Sequence, residues 1–189
     1  RFFVVRRQKE IIESQKSLVE TKNEEILDSI TYARRLQSAI LPQPDDIRKH
    51  LDAAILFLPK DIIGGDFYFF EKHKHRLYFA VCDCTGHGIP GALMSVVCYE
   101  ALEKAIRTYR LRQPGAVLDK ARELIIENLN AGDQNIKDGM DCSLLVVDQL
   151  RQTVQWAGAN NSIWIVKEGQ ITELKADKQP VAYYEHAQP

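Results

Sequence analysis

Between residues 8 and 41 the chain contains neither glycine nor proline, and Pro42 and Pro44 then close the run. Apolar and charged positions interleave along it, which predicts one long helix that ends where proline can no longer extend it. Ile12, Val19, Ile26, Ala33 and Ile40 recur every seven residues, the period of a left-handed coiled coil. The positions three residues on, Gln15, Lys22, Ser29 and Leu36, are mostly polar, while Leu18, Leu27 and Ile30 widen the stripe. A helix with such a stripe needs a partner surface, either its twin or the domain that follows. The reading taken is the twin, so the chain is expected to form a homodimer through this helix. At the start, Phe2-Phe3-Val4-Val5 turns abruptly basic at Arg6, Arg7 and Lys9. That order suits a segment just cytoplasmic of a membrane helix, and it equally suits the frayed start of a helix. The expected location is the cytoplasm, with a membrane-anchored sensor upstream in a longer protein. Residues 1–41 thus read as a helical linker and 42–189 as the folded domain.

With 45% hydrophobic and 27% charged residues among 189, the chain can bury a sizeable core. Its 25 basic and 26 acidic residues leave a formal charge of −1, without the basic excess of a nucleic-acid groove, so nucleic acid is not an expected partner. No stretch reaches the roughly 20 apolar residues that span a bilayer. Cys82, Cys84, Cys98 and Cys142 lack C-x-x-C spacing and read as reduced core thiols.

After Pro44 the pattern shifts to short apolar runs. Leu51–Leu58, Phe67–Phe70 and Leu77–Cys82 read as strands, the last two joined by a polar turn at Lys72-His73-Lys74-His75. Helices are expected from about Pro90 to Tyr109 and from about Pro114 to Ala131. Strands return at Ser143–Val147, Thr153–Ala157, Ser162–Val166 and Gln170–Leu174, the last pair linked by Glu168-Gly169. Strands, two helices, then strands again predict an α+β fold with antiparallel sheets rather than alternating β-α units.

Two acidic residues stand where the chain enters or leaves a strand: Asp66 in DIIGGDFYFF and Asp83 in LYFAVCDCTGHG. Glycines beside them permit close backbone approach, and carboxylates so placed suit a hard cation. The loop with Gly86, His87 and Gly88 leads into a helix N-terminus, which favours an anion such as phosphate. Each residue alone reads as a turn, cap or solvated side chain; together they predict a metal and phosphate site.

PKDIIGGDFYFF followed by FAVCDCTGHGIPGALMS resembles the SpoIIE and RsbU branch of the metal-dependent (PPM) Ser/Thr protein phosphatases. DGMDCSLLVVD and WAGANNSIWIV extend the resemblance, and DSITYARRLQSAILPQ is similar to the linker that precedes such domains in bacterial sensor proteins. The resemblance implies a layered α-β-β-α sandwich and a centre of two manganese or magnesium ions (Mn2+ or Mg2+). Asp66 and Asp83 match its acidic ligands, with Asp83 bridging both ions, and the backbone carbonyl of Cys84 matches a further contact. His87 matches a proposed general acid, and Lys60 a basic phosphate contact for which surface solvation also accounts. Asp138 or Asp141 would approach a third metal, and Asn160 and Asn161 default to a turn. The implied reaction is hydrolysis of phosphoserine or phosphothreonine by a metal-activated water, without a covalent intermediate. The implied substrate is a phosphoprotein of the STAS-type anti-sigma-factor antagonist class. The family pattern continues with further strands and a T-D-G element whose Asp completes the site, so an incomplete site is expected here. The alternative is a dimerising signalling module that binds a partner without turnover.

Overall fold

The computed structural model describes residues 2–59, 61–130 and 137–184. Helix α1 spans Phe2–Ile40 and α2 Pro44–Arg48; β1 (Phe67–His73) and β2 (Arg76–Cys84) form a hairpin; α3 (Gly88–Arg107) and α4 (Pro114–Asn130) follow. Strands β3 (Met140–Asp148), β4 (Thr153–Ala159), β5 (Ile163–Lys167) and β6 (Gln170–Leu174) complete the order. One sheet runs β1-β2-β3-β4 and a second contains β5-β6, with every pairing antiparallel. The expected α+β class with antiparallel sheets is what the chain adopts.

The register decides which side chains meet the helices. Phe67, Phe69, Tyr78, Ala80, Cys82, Cys142, Leu144 and Val146 alternate along three strands and are buried, as period-two side-chain placement requires. Against them α3 contributes Cys98, Leu102 and Ile106, and α4 contributes Val117, Ala121 and Ile125. All four cysteines lie in this core as free thiols, and the Cys82 and Cys142 sulfurs stand 3.5 Å apart. The Tyr78 hydroxyl donates to the Leu111 carbonyl at 3.1 Å and fastens the α3–α4 connection to β2.

Helix α1 is about 58 Å long at 1.5 Å per residue, and only its last turns are covered. There Gln37 is buried while Ala33 is half-buried, packed toward α3. Upstream, Ile12, Val19 and Ile26 all stay more than half exposed, at 62%, 57% and 54%. The folded domain therefore serves as partner for the end of the stripe and leaves the heptad residues before it open. Among the described residues, no helix is long and apolar enough to cross a membrane.

The segment 51–58 is not a strand. It runs extended, and Leu56 (86%) and Leu58 (80%) point away from the protein. Its burial alternates, with Ala53, Ile55 and Phe57 among the covered positions. Phe57 packs edge-on against Tyr68 at 5.6 Å, so apolar contact holds the segment where a hydrogen-bond ladder was expected. Helix α3 starts two residues before Pro90 and ends at Arg107, where Thr108 and Tyr109 both donate to the Lys104 carbonyl. The β1–β2 turn is tighter than expected, with Lys74 at φ 57°. Glu168 and Gly169 take φ 52° and 76° in the β5–β6 turn, as an inverse hairpin turn requires.

Candidate metal centre

Asp83 is the penultimate residue of β2, and Asp66 immediately precedes β1. Because Phe67 pairs with Cys82, the hairpin brings both carboxyls to one end of the sheet. They lie within hydrogen-bonding reach, and the Asp83 pKa is raised above its ordinary value. Partial burial is the main cause, followed by the hydrogen bond and negative charge of Asp66. Both line a cavity of about 490 Å³ floored by the outer face of the sheet and walled by residues 54–58.

Gly65 sets this meeting. A Cβ there would come within 2.8 Å of the Cys84 carbonyl oxygen and 2.9 Å of the Gly86 carbonyl oxygen, closer than real Cβ atoms pack. Gly91 in the first turn of α3 presses on the same Gly86 carbonyl, where a Cβ would stand only 2.5 Å from the oxygen. The GGD loop, the DCTG loop and the start of α3 are thus locked together backbone to backbone. Gln37 of α1 adds a polar clasp: its Nε2 donates to the Gly64 carbonyl at 2.6 Å and to Ser95 Oγ at 2.8 Å. Ser95 in turn donates to the Ala92 carbonyl at 2.7 Å.

The sequence-predicted residues separate into two groups. Asp66, Asp83 and the Cys84 backbone converge. The Cys84 thiol instead points into the core, where a hydrogen bond with Cys98 and burial keep it protonated, leaving only the carbonyl to face the loop. His87 stands at the N-terminus of α3 with its side chain 94% exposed and no capping hydrogen bond, its Nδ1 3.9 Å from Asp61. It is not packed against the carboxyl pair. Lys60 lies outside the described residues.

Of the two acids left open in DGMD, Asp141 is the neighbour. It pairs directly with Asp83 across β2 and β3 and shares with it a cavity of about 200 Å³. Asn160, in a left-handed turn at φ 57°, donates from Nδ2 to Asp141 Oδ1 at 2.8 Å. Asp138 is exposed. Nothing in the sequence separates Asn160 from an ordinary turn residue, and Gln37 and Thr85 also escape a reading by motif. The Thr85 Oγ1 accepts from the Gly139 N–H at 2.8 Å and lies 3.0 Å from its carbonyl, which clamps the DCTG loop to the start of β3. A polar Gln on an otherwise apolar helix face is the one available signal for Gln37.

These residues fit a hard divalent cation. Partial burial and the neighbouring Asp66 disfavour the Asp83 carboxylate, a cost that a cation would offset, and the Gly65 cradle admits a backbone carbonyl beside the pair. Among the described residues no three His, Cys, Asp or Glu side chains form a metal-sized group, so carbonyl and water oxygens would supply further coordination.

The family model of Stage II sporulation protein E (SpoIIE) matches residues 73–188. The chain belongs to the SpoIIE family. It is 30% identical over 109 residues to the phosphoserine phosphatase RsbU of Bacillus subtilis (strain 168), across 57% of this chain and 32% of that protein. Among solved structures, the SiaA-PP2C domain of Pseudomonas aeruginosa superposes with a TM-score of 0.74 at 31% identity, covering 85% of this chain and 64% of that one. The PP2C phosphatase domain of SpoIIE from Bacillus subtilis, solved with a fragment of its regulatory domain, gives 0.52 at 16% identity over 66% of this chain and 35% of that one, a likeness of fold. The chain spans about a third of the curated relative's length and under two thirds of the SiaA structure.

The raised pKa of Asp83 has a signed consequence. Its ionised form is disfavoured in the fold, so without metal the protein loses stability as pH rises from the ordinary carboxylate value of 3.8 through the raised folded value. Asp83→Asn removes that loss. In chelator its melting temperature is expected to exceed that of the unaltered chain at neutral pH, with the gap closing below pH 4. Equal melting curves at neutral pH would show that the fold does not disfavour the ionised Asp83 carboxylate.

Proposed function

We propose that this chain is the output domain of a metal-dependent protein serine/threonine phosphatase in bacterial signalling, acting on phosphoserine or phosphothreonine of a partner protein. The observation that carries the reading is the convergence of Asp66, Asp83 and the Cys84 carbonyl around Gly65 in a SpoIIE-family fold. Relatives named as a phosphoserine phosphatase and as PP2C phosphatase domains support it.

Asp66 and Asp83 are the proposed ligands of two Mn2+ or Mg2+ ions, with Asp141 beside them for a further ion and Asn160 fixing its carboxylate. Bound cations of this kind neutralise phosphoryl oxygens and acidify water. His87, exposed at the N-terminus of α3, is proposed to deliver a proton to the leaving serine oxygen. The proposed partner is a phosphoprotein of the STAS-type anti-sigma-factor antagonist class. Residues 1–41 act as linker and 42–189 as catalytic domain in this reading, on the cytoplasmic side of a membrane-anchored sensor. Gln37 gives the linker a direct hold on the Gly64 carbonyl, two residues before Asp66. A shift of α1 on dimerisation would therefore be felt at the carboxyl pair.

The test is hydrolysis of an aryl phosphate and of a phosphoserine peptide with Mn2+. Turnover is expected, falling by about two orders of magnitude in Asp83→Asn. Absence of metal-dependent turnover would favour a dimerising module that binds without catalysis. The exposed heptad residues Ile12, Val19 and Ile26 generate a separate expectation. Light scattering should give twice the 21.6 kDa chain mass, returning to a monomer when residues 1–41 are removed; a monomer at all concentrations contradicts pairing through α1.

A further inference from the structure

The opposite end of the sheet carries a second, chemically distinct cavity. Arg76 opens β2 seven residues before Asp83, about 24 Å away along an extended strand. There a cavity of about 410 Å³ lies between the α3–α4 connection, the β3–β4 turn and β4, lined by Arg76, Arg110, Arg112 and Arg151 with a single acid, Asp148.

That acid is already committed. Asp148 is 6% exposed and accepts from Arg76 Nη2 at 2.8 Å and from the backbone N–H groups of Leu150 and Arg151 at 3.2 and 3.0 Å. His75 Nε2 lies 3.5 Å from the same oxygen that Arg76 holds. Asp148 therefore holds Arg76, itself 8% exposed, as a fixed floor and leaves the other guanidinium groups uncompensated. Among the described residues, no carboxylate lies within ion-pair distance of Arg110, Arg112 or Arg151. Arginines on the two flanking helices behave differently: Arg107 pairs with Glu71 and Glu103, and Arg122 with Asp119. Arg110 also takes the left-handed conformation, φ 55°, which a glycine or asparagine would adopt more cheaply. In a chain of net charge −1, this is a local excess of positive charge around a concavity.

Guanidinium forks match phosphate oxygens in pairs, and the volume falls within the range of small-ligand pockets. We propose that this cavity binds a small ligand bearing two or more phosphate groups, remote from the Asp66–Asp83 pair and independent of whether that pair is catalytic. Arg76 supplies the rigid base of the site, and Arg110, Arg112 and Arg151 close on the ligand from the rim. The Tyr78 hydroxyl, bonded to the Leu111 carbonyl in the middle of the arginine-bearing connection, holds that rim to the sheet.

The experiment is calorimetric titration of pyrophosphate into the full chain at low salt with chelator present, which silences divalent metal. Saturable one-to-one binding is expected, weakened about tenfold in Arg112→Ala and again in Arg151→Ala and unchanged in Asp83→Asn. Arg112 and Arg151 are exposed, so matching melting temperatures will show that the variants remain folded. Absence of saturable binding overturns the proposal, as does binding that survives loss of both arginines. Binding of polyglutamate in preference to pyrophosphate overturns it in favour of an acidic protein segment.

Discussion

Asp66 and Asp83 meet because Gly65 has no side chain. The loop before β1 lies directly on the Cys84 and Gly86 carbonyls, at a distance that leaves no room for a Cβ. Gly91 lets the first turn of α3 close on the same point. Backbone contact of this kind is stiff, since nothing at it can change rotamer, and it fixes the Asp83 carboxyl where partial burial and the neighbouring Asp66 disfavour its charge. The four-stranded sheet and its two helices form a platform that holds these loops in register. The β1–β2 pairing sets Asp66 beside Asp83, and the β2–β3 pairing adds Asp141 across the ladder.

The same junction receives the long helix. Gln37 is one of few buried polar side chains, and it is satisfied by the Gly64 carbonyl and Ser95 together. Burying an amide without partners would be unfavourable, so the end of α1 is held in one position relative to the GGD loop. The rest of the helix extends away with its stripe exposed. One element thus has a specific polar contact in the GGD loop and an exposed apolar face far from it.

Much of this was legible in the sequence, and the failures have physical causes. The short apolar runs of β2 and β3, breaker residues around α3 and α4, and Glu168-Gly169 are local signals, and each points to the correct element. Leu51–Leu58 is as apolar a run, yet an apolar run records an extended chain with a covered side and says nothing about a ladder partner. Asp66, Asp83 and the glycines were visible because the chemistry needs those residue types close together in the chain. Asn160 and Gln37 were not, because they act on residues 19 and 27 positions away, and only the fold brings them there. The arginine cavity was invisible for the same reason: Arg76, Arg110, Arg112 and Arg151 come from three separate segments, and the balanced overall charge hides their gathering.

Asp66 and Asp83 are the proposed site for a divalent cation. The most direct test is Mn2+ titration followed by electron paramagnetic resonance, in which bound ion loses the sharp signal of free ion. Saturable binding by the chain is expected, weakened at least about tenfold in both Asp66→Asn and Asp83→Asn. Equal Mn2+ affinity in the chain and in both variants would contradict it.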